Sequence, residues 1–276
     1  MANTARKHAG HRAAPWLQWV ARIGIVAEGV IYLLIGGLAL VGAFDPAQRP
    51  SGSNGAMSKL ADAPMGRVML AALALGLAAY VLWQLVLAAL DPECSERRWS
   101  IQRIALRIHH LWSAALHCAL VGIAGWQLLG LGHGDDDGQT QKHLTAMAFQ
   151  FPGGRWLVGG IGAGIAAYAL VQWILACRPQ KGTRMELAHT PLRVPILALF
   201  VLGYGARGAL FGLIGALLVR AAWRHAPNQV AGISGALESL RHQPFGPWLL
   251  GIVAIGLIAF GLAQVAKARY RRVRVD

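Results

Sequence analysis

Residues 64–90 read PMGRVMLAALALGLAAYVLWQLVLAAL, and two later stretches, beginning at Pro152 and Pro244, carry the same marks. Each stretch opens with Pro-x-Gly and then places a glycine twelve residues after the proline, an aromatic residue at sixteen and a glutamine at twenty. The repeated residues are Gly76, Gly164 and Gly256; Tyr80, Tyr168 and Phe260; and Gln84, Gln172 and Gln264. Self-similarity of this kind is typical of a chain built from copies of one structural unit.

The composition indicates a membrane protein. Hydrophobic residues make up 55% of the 276 residues and charged residues only 14%, whereas about 25% of the residues of a soluble domain are charged. A helix that crosses a bilayer needs about 20 mostly apolar residues. Six stretches meet this length, namely 20–43, 67–90, 108–131, 156–177, 195–219 and 247–266. The predicted fold is therefore all-α, a polytopic membrane helical bundle with six transmembrane helices arranged as three tandem two-helix repeats.

The repeats divide the chain into three similar units between two basic tails. The predicted repeats cover 19–92, 104–179 and 194–267, and the tails cover 1–18 and 268–276. Two helices per repeat bring every copy into the membrane from the same side, so the repeats are parallel and related by an axis along the membrane normal. Three such hairpins can close into a ring of six helices, and each loop before a Pro-x-Gly is predicted to hold a short helix.

The basic residues predict the orientation of the chain. Of the 26 Lys and Arg residues, seventeen lie towards the two ends of the chain, up to Arg22 and from Lys267, or between the second and third and the fourth and fifth helices, and eight lie in or at the ends of the other three loops. An excess of Lys and Arg marks the cytoplasmic side, so both termini are predicted to be cytoplasmic. The net charge of +14 then faces anionic lipid headgroups at the basic cytoplasmic loops. No groove-binding motif points to nucleic acid as a partner.

The first helix of each hairpin also repeats, with the middle copy diverging. Residues 24–36 align with residues 203–215, and Arg107-Ile108-His109 corresponds to Arg22-Ile23-Gly24. In the middle copy Ser113 and Ala114 replace the charged residue and the glycine of the other two copies. Residues 28 and 207 are therefore equivalent positions in repeats one and three.

These marks resemble a known family. The run ending in Gly208, the Gly-Ala pairs at 55–56 and 235–236, the Pro-x-Gly turns and the Gly-x-x-x-Tyr stretches are similar to a bacterial membrane family catalogued as domain of unknown function 1206, in three tandem copies. The resemblance covers nearly the whole chain and implies a helical fold in the bacterial cytoplasmic (inner) membrane. It implies no activity, and the family usually has a basic residue where Glu28 stands.

A layer of polar residues is predicted inside the membrane. Glu28 and Arg207 occupy equivalent helix positions, and ionisable groups within a membrane are costly, usually paired and often functional. The pair is interpreted either as a gate or ion-coupling pair, or as an ion pair that only fixes which helices are neighbours. The repeat glutamines and tyrosines join the layer, either lining a vestibule open to the cytosol or making hydrogen bonds between helices: Gln84, Gln172, Gln264, Tyr80 and Tyr168.

Glycines recur at spacings that favour close packing of helices. Small residues four or seven apart lie on one helix face and let two backbones approach each other. The predicted packing glycines are Gly29, Gly36, Gly76, Gly160, Gly164, Gly208, Gly212, Gly215 and Gly256.

Catalytic and metal-binding signatures are missing from the sequence. His110 and His117 share a helix face but are two turns apart, about 10 Å, too far for one metal with bonds near 2 Å. His117 is interpreted as a packing histidine, the alternative being a haem ligand or part of a proton path, and the role of His109 and His110 stays open. No phosphate-binding, hydrolase or zinc-protease motif occurs. The chain is therefore predicted not to be an enzyme, with no catalytic residue, metal or cofactor.

Two functions of different classes follow from these observations. The first is a channel or transporter for a small solute or ion, with the repeat axis as its pathway. The second is a non-catalytic membrane scaffold or regulatory protein that docks lipids or a partner protein through basic loops. A homo-oligomer or a membrane-protein partner is compatible with both, and an open wet axis would favour the first while a dry packed axis would favour the second.

Overall fold

The computed structural model describes residues 15–45, 47–90, 101–131, 142, 145–178, 191–226 and 229–270. These ranges contain helices, turns and loops but no strand. The helices are α1 (Pro15–Phe44), α2 (Ser53–Ala61), α3 (Gly66–Leu90), α4 (Ile101–Leu128), α5 (Gly154–Cys177), α6 (Arg193–Arg224), α7 (Ile233–Arg241) and α8 (Gly246–Tyr270). The outer parts of the two basic tails and most of the basic loops lie outside the described residues.

Six of these helices are long and apolar enough to cross a membrane, namely α1, α3, α4, α5, α6 and α8. The predicted all-α bundle of three two-helix repeats is confirmed. Several helices run past the predicted spans, because α1 begins at residue 15 rather than 20 and α6 ends at residue 224 rather than 219. These extensions carry polar residues such as Gln18 and Arg220, which a helix tolerates once it has left the hydrocarbon layer.

The six long helices form a ring in the order α1, α3, α4, α5, α6, α8. The most extensive packing joins helices of different hairpins, α5 with α6, α1 with α8, and α3 with α4. We call the end of the ring that holds the first residue of α1 and the last residue of α8 the terminal face. The opposite end, which holds α2 and α7, is the loop face.

Glycines bring the two helices of the first and third hairpins into backbone contact. A Cβ atom added to Gly24 would lie 2.5 Å from the backbone nitrogen of Tyr80, and one added to Gly203 would lie 2.5 Å from that of Phe260. One turn further, Ala27 packs on Gly76 and Ala206 packs on Gly256. Equivalent residues therefore make equivalent contacts in the two hairpins.

The middle hairpin replaces these small residues with large ones. His109 stands where the other copies have Gly24 and Gly203, and its ring stacks on Tyr168 with 4.9 Å between ring centres. Trp112 stands where the others have alanine, and a Cβ on Gly164 would lie 3.2 Å from the Trp112 ring. The two side chains separate α4 from α5, which make the least contact of any adjacent pair in the ring.

The loop face is closed by short helices and three equivalent turns. The short helices predicted before each Pro-x-Gly are present as α2 and α7, and residues 145–149 are helical in the middle copy. The residue after each repeat proline has a positive φ: Met65 at 58°, Gly153 at 85° and Phe245 at 60°. The glycine that follows lies against a carbonyl of the preceding segment, as Gly66 does against Leu60. The three turns thus fold alike although only one has glycine at the strained position.

The predicted packing glycines differ in what lies against them. A Cβ on Gly29 would lie 2.8 Å from the carbonyl oxygen of Gly261, and one on Gly215 would lie 2.8 Å from that of Gly162. Close contacts also occur at Gly36, Gly76, Gly164, Gly208 and Gly256, and an ordinary contact occurs at Gly212. At Gly160, by contrast, no atom of the described residues lies within 4 Å of the Cβ position. The face of α5 that packs on α6 contains Gly162 instead, and a two-residue offset turns Gly160 to the outside.

Candidate functional site

Glu28 and Arg207 lie near the midpoints of their helices. Glu28 is thirteen residues from the start of α1 and sixteen from its end, and Arg207 is fourteen residues into α6 and seventeen from its end. Glu28 lies nearer the middle of its helix than in the predicted span 20–43, because α1 begins at residue 15, whereas Arg207 is central in both the predicted span 195–219 and α6. Neither residue is open to water, because Glu28 is 0% and Arg207 is 3% exposed.

Glu28 lies at the centre of a group of polar side chains on the axis of the ring. Its Oε1 is 3.1 Å from Nη2 of Arg207 on α6 and 3.6 Å from Nε2 of His117 on α4. Gln264 on α8 donates a hydrogen bond from Nε2 to Oε2 of Glu28. Three helices thus bring polar groups to one carboxylate on a fourth. We call Glu28, Arg207, His117, Gln264 and Tyr32 the central cluster.

The guanidinium group of Arg207 lies in an aromatic cage. Its Nε donates a hydrogen bond of 2.9 Å to the Tyr32 hydroxyl. Its Cζ is 4.5 Å from the ring centre of Phe260 and 4.8 Å from that of Tyr32, and the rings of Phe211 and Tyr168 lie 5.4 Å and 5.5 Å away. A desolvated cation over an aromatic face gains about 2 kcal/mol. The cage and Glu28 together offset the cost of burying the charge.

His117 connects the ion pair to α4. Its Nδ1 is 2.7 Å from the carbonyl oxygen of Ser113, and because a carbonyl only accepts, Nδ1 carries a hydrogen. Its Nε2 therefore points to Glu28, and this atom makes no hydrogen bond within the described part of the chain. The His117 ring also contacts Tyr80, with 4.4 Å between ring centres.

The other predicted polar residues lie around the cluster at different distances. Tyr168 belongs to the cage of Arg207, and Gln84 donates a hydrogen bond of 3.2 Å to the hydroxyl of Tyr80 on its own helix. Gln172 is buried, and its Oε1 has no hydrogen-bond partner among the described residues. Gln264 is the one repeat glutamine that the structure brings to Glu28. A vestibule open to water is not what these residues form, because all five are less than 10% exposed.

Tyr32 and Ser113 belong to the site, although the spacing argument did not single them out. The repeat alignment already held the signal for both. Tyr32 follows Glu28 by four residues, Phe211 follows Arg207 by four, and His117 follows Ser113 by four. Residues four apart on a helix share a face. In each copy, therefore, both members of the pair face the axis, one helical turn apart.

A cavity of about 350 Å³ lies directly on the loop-face side of the central cluster. Tyr32, His117 and Phe211 line the end nearest the cluster. Apolar side chains of α1, α4, α5 and α6 form its walls, and Ser53, Thr145 and residues 230–233 cover it at the loop face. A site of this volume, mostly apolar with a few polar groups, is typical of a small-molecule pocket.

The axis is therefore blocked at its midpoint and hollow on one side. Among the described residues, the ion pair, the aromatic cage and Gln264 are all buried at this level of the ring. Breaking the contact between Glu28 and Arg207 would leave two unpaired charges in a low-dielectric region. This costs several kcal/mol unless other groups or water replace the contact. The site thus combines a buried ion pair with a neighbouring apolar cavity.

Comparisons with known proteins agree with the repeated architecture. The family model "Domain of Unknown Function (DUF1206)" matches residues 23–91, 110–178 and 202–271. The chain is 30% identical over 262 residues to "Uncharacterized protein YxxB" of Bacillus subtilis (strain 168), an alignment that covers 94% of this chain and 93% of that protein. No solved structure matches. This chain belongs to the DUF1206 family, whose domain it contains in three tandem copies.

Proposed function

We propose that this protein transports a small molecule, with the cavity as its binding site and the central cluster as its gate. The observation that supports this most directly is the position of a 350 Å³ cavity against a buried ion pair on the axis of a repeated ring. Transporters built from internal repeats bind their substrates near the bilayer midplane, at the interface between repeats. Ionisable residues at that depth commonly mark substrate or ion pathways.

The gate operates by rearrangement of the ion pair. With Glu28 and Arg207 in contact, the cavity is closed towards the terminal face. If the ion pair breaks, His117, Tyr32 and Gln264 are already placed to hydrogen-bond the freed groups, which lowers the cost of the open state. The role is non-enzymatic, since the cluster changes contacts rather than covalent bonds.

The orientation belongs to the same proposal. Both termini lie in the cytoplasm, and the bilayer is the bacterial inner membrane, so the cavity lies in the outer half. The basis is the excess of Lys and Arg in the tails and in the loops on the terminal face. These residues also bind anionic headgroups. Reporter fusions that place either terminus outside the cytoplasm would contradict this orientation.

Transport is tested with the purified chain in liposomes. One set is loaded with amino acids, sugars, carboxylates and nucleosides, whose release is followed by mass spectrometry. A second set holds a fluorescent NBD-labelled lysophospholipid, whose exchange between leaflets is measured by dithionite quenching. We expect at least one probe to move faster than in protein-free liposomes, and faster still when the protein carries Glu28→Gln and Arg207→Gln together, because this pair of changes removes the contact that closes the gate.

The control is the same pair of changes at the loop face. Glu238 and Arg241 are 4.0 Å apart and partly exposed, so Glu238→Gln with Arg241→Gln removes a glutamate and an arginine without touching the axis. This control is expected to keep the transport rate of the natural protein. If every probe moves at the protein-free rate, the protein is not a transporter of these classes of molecule.

A membrane scaffold is the second candidate, favoured by the tight packing of the rest of the bundle. Backbone contacts such as Gly24 on Tyr80 and Gly203 on Phe260 make the ring rigid, which suits a platform for a partner protein or a second copy of the chain. Crosslinking in cells tests this directly. Recovery of a single reproducible partner would support the scaffold, and recovery of none, with lipid binding unchanged when the basic loops are neutralised, would count against it.

A further inference from the structure

The two helices of the middle hairpin, α4 and α5, touch on the terminal-face side and have the cavity between them on the loop-face side. On the terminal-face side, α4 and α5 meet where His109 stacks on Tyr168 and where Trp112 faces Gly164. Beyond these contacts, towards the loop face, both helices line the cavity with residues 116–123 of α4 and 158–165 of α5. The two large side chains therefore act as a wedge between α4 and α5, and the cavity lies between the two helices beyond it.

The gap between α4 and α5 joins the cavity to the outside of the ring. Ala119 and Ile161 both line the cavity, and both are exposed on the surface of the bundle, Ile161 by 42%. The outside of a ring of membrane-spanning helices is in contact with the hydrocarbon of the bilayer. A molecule dissolved in the bilayer can therefore reach the cavity sideways, without passing through water.

The walls of the cavity select for hydrocarbon. They include Leu116, Leu120, Val158, Ile165 and Ile214. A charged or strongly hydrated molecule would lose its hydration on entry and find no partner on these walls. The hydrocarbon tail of a lipid has no hydration to lose, since it leaves one apolar environment for another.

The end of the cavity nearest the central cluster is polar. His117 lines it, is only 2% exposed, and has an Nε2 atom without a hydrogen bond in the described structure. Because Nδ1 carries the hydrogen in the contact with Ser113, a neutral His117 presents the lone pair of Nε2 as an acceptor. Nε2 lies 3.6 Å from Oε1 of Glu28, so a hydroxyl group, the simplest uncharged donor, would donate to it from the cavity side, next to the carboxylate.

We infer that the cavity binds a lipid-like alcohol that enters from the bilayer between α4 and α5. Its hydrocarbon body lies against the apolar walls, and its hydroxyl group donates a hydrogen bond to Nε2 of His117. This names the substrate class of the transport proposed above and rests on that proposal for its biological role. The binding itself is measured without any transport.

The probe is hexadecanol carrying a photoreactive diazirine, added to liposomes that contain the full chain. After irradiation, labelled peptides are identified by mass spectrometry. We expect saturable labelling of residues 116–123 and 158–165, reduced by unlabelled hexadecanol more strongly than by hexadecane. Ala119→Trp with Ile161→Trp fills the gap and should lower this labelling about tenfold, which corresponds to about 1.4 kcal/mol.

Two further variants make the test specific. Ala115→Trp with Ile174→Trp adds the same bulk to exposed positions of α4 and α5 that do not line the cavity, and should leave the labelling unchanged. His117→Phe copies the residue at the equivalent position of the third repeat, Phe211. It should abolish the advantage of hexadecanol over hexadecane while the walls are still labelled.

The outcomes separate binding from transport. Labelling that does not saturate, or that is equal in the blocked and control variants, would overturn the inference, as would an undiminished preference for alcohol in His117→Phe. Saturable labelling without movement of any probe across liposomes would contradict the transport proposal and support the binding site. Transport of a water-soluble solute without saturable labelling would overturn this inference and leave the transport proposal standing.

Discussion

At the scale of residues, the ion pair between Glu28 and Arg207 dominates the energetics of the axis. Each partner is almost completely buried, so removing one leaves an uncompensated charge. We expect Glu28→Gln and Arg207→Met each to lower the free energy of unfolding by about 3–5 kcal/mol. The double variant should lose clearly less than the sum, because it leaves no unpaired charge. Unfolding in mixed micelles with increasing denaturing detergent measures all three variants.

The same double-mutant cycle, two single variants and their combination, at Glu238 and Arg241 serves as the reference. Their side chains are 32% and 17% exposed, so water screens them and their coupling should fall in the range of about 0–1 kcal/mol. Equal coupling in the two cycles would mean that the central pair is as solvated as the one on the loop face. That result would contradict both the closed axis and the gate.

The sequence carried enough information to name Glu28 and Arg207 but not to join them to His117. Ionisable residues stand out in apolar helices whatever the fold, because their burial is costly. Whether Gln84, Gln172 or Gln264 reaches Glu28 depends on the rotation of each helix about its own axis. Hydropathy does not report that rotation, so three glutamines at equivalent positions were predicted to be alike and only one contacts the carboxylate.

At the scale of elements, neighbouring glycines of α1 differ in what they face. A Cβ on Gly36 would lie 2.8 Å from Cγ1 of Ile258 and 2.9 Å from the carbonyl oxygen of Ala254, whereas one on Gly37 would meet no atom of the described part of the chain within 4 Å. We expect Gly36→Ala to destabilise the protein by about 1–3 kcal/mol, because α1 and α8 must move apart. Gly37→Ala should be neutral or stabilising by up to about 1 kcal/mol, owing to its higher helix propensity.

Thermal unfolding of the two purified variants in detergent compares them directly. The pair is closely matched, since the substitution, the helix and the depth are the same. Equal melting temperatures would show that α1 and α8 do not touch at this level. Gly160 illustrates why such pairs need a structure: glycines four apart define a face, but the sequence does not say which helix, if any, that face meets.

At the scale of the whole molecule, three hairpins form a ring in which the helices of two hairpins pack closely and those of the third make little contact. The number of spans and the repeat were readable from the sequence, because both depend on hydropathy and spacing along one chain. The sparse contact between α4 and α5 was not predicted, although His109 and Trp112 stand where the other copies have glycine and alanine. The consequence of this difference is visible only in the structure, where the equivalent residues Gly24 and Ala27 pack on Tyr80 and Gly76.

The wedge predicts how the ring can be closed. His109→Gly with Trp112→Ala restores the residue pattern of the other two hairpins, so α4 should settle against α5 as α1 settles against α3. Spin labels at Trp126→Cys and Leu157→Cys, both on exposed positions near the loop face, report the separation once the natural Cys94, Cys118 and Cys177 are replaced by serine. We expect the distance distribution to shift to shorter values and the labelling of the cavity by diazirine hexadecanol to fall.

The control is Leu111→Ala, a change at an exposed neighbouring position on α4, which should leave both measurements unchanged. An unaltered distance in the double variant would show that His109 and Trp112 fill space between the helices without holding them apart.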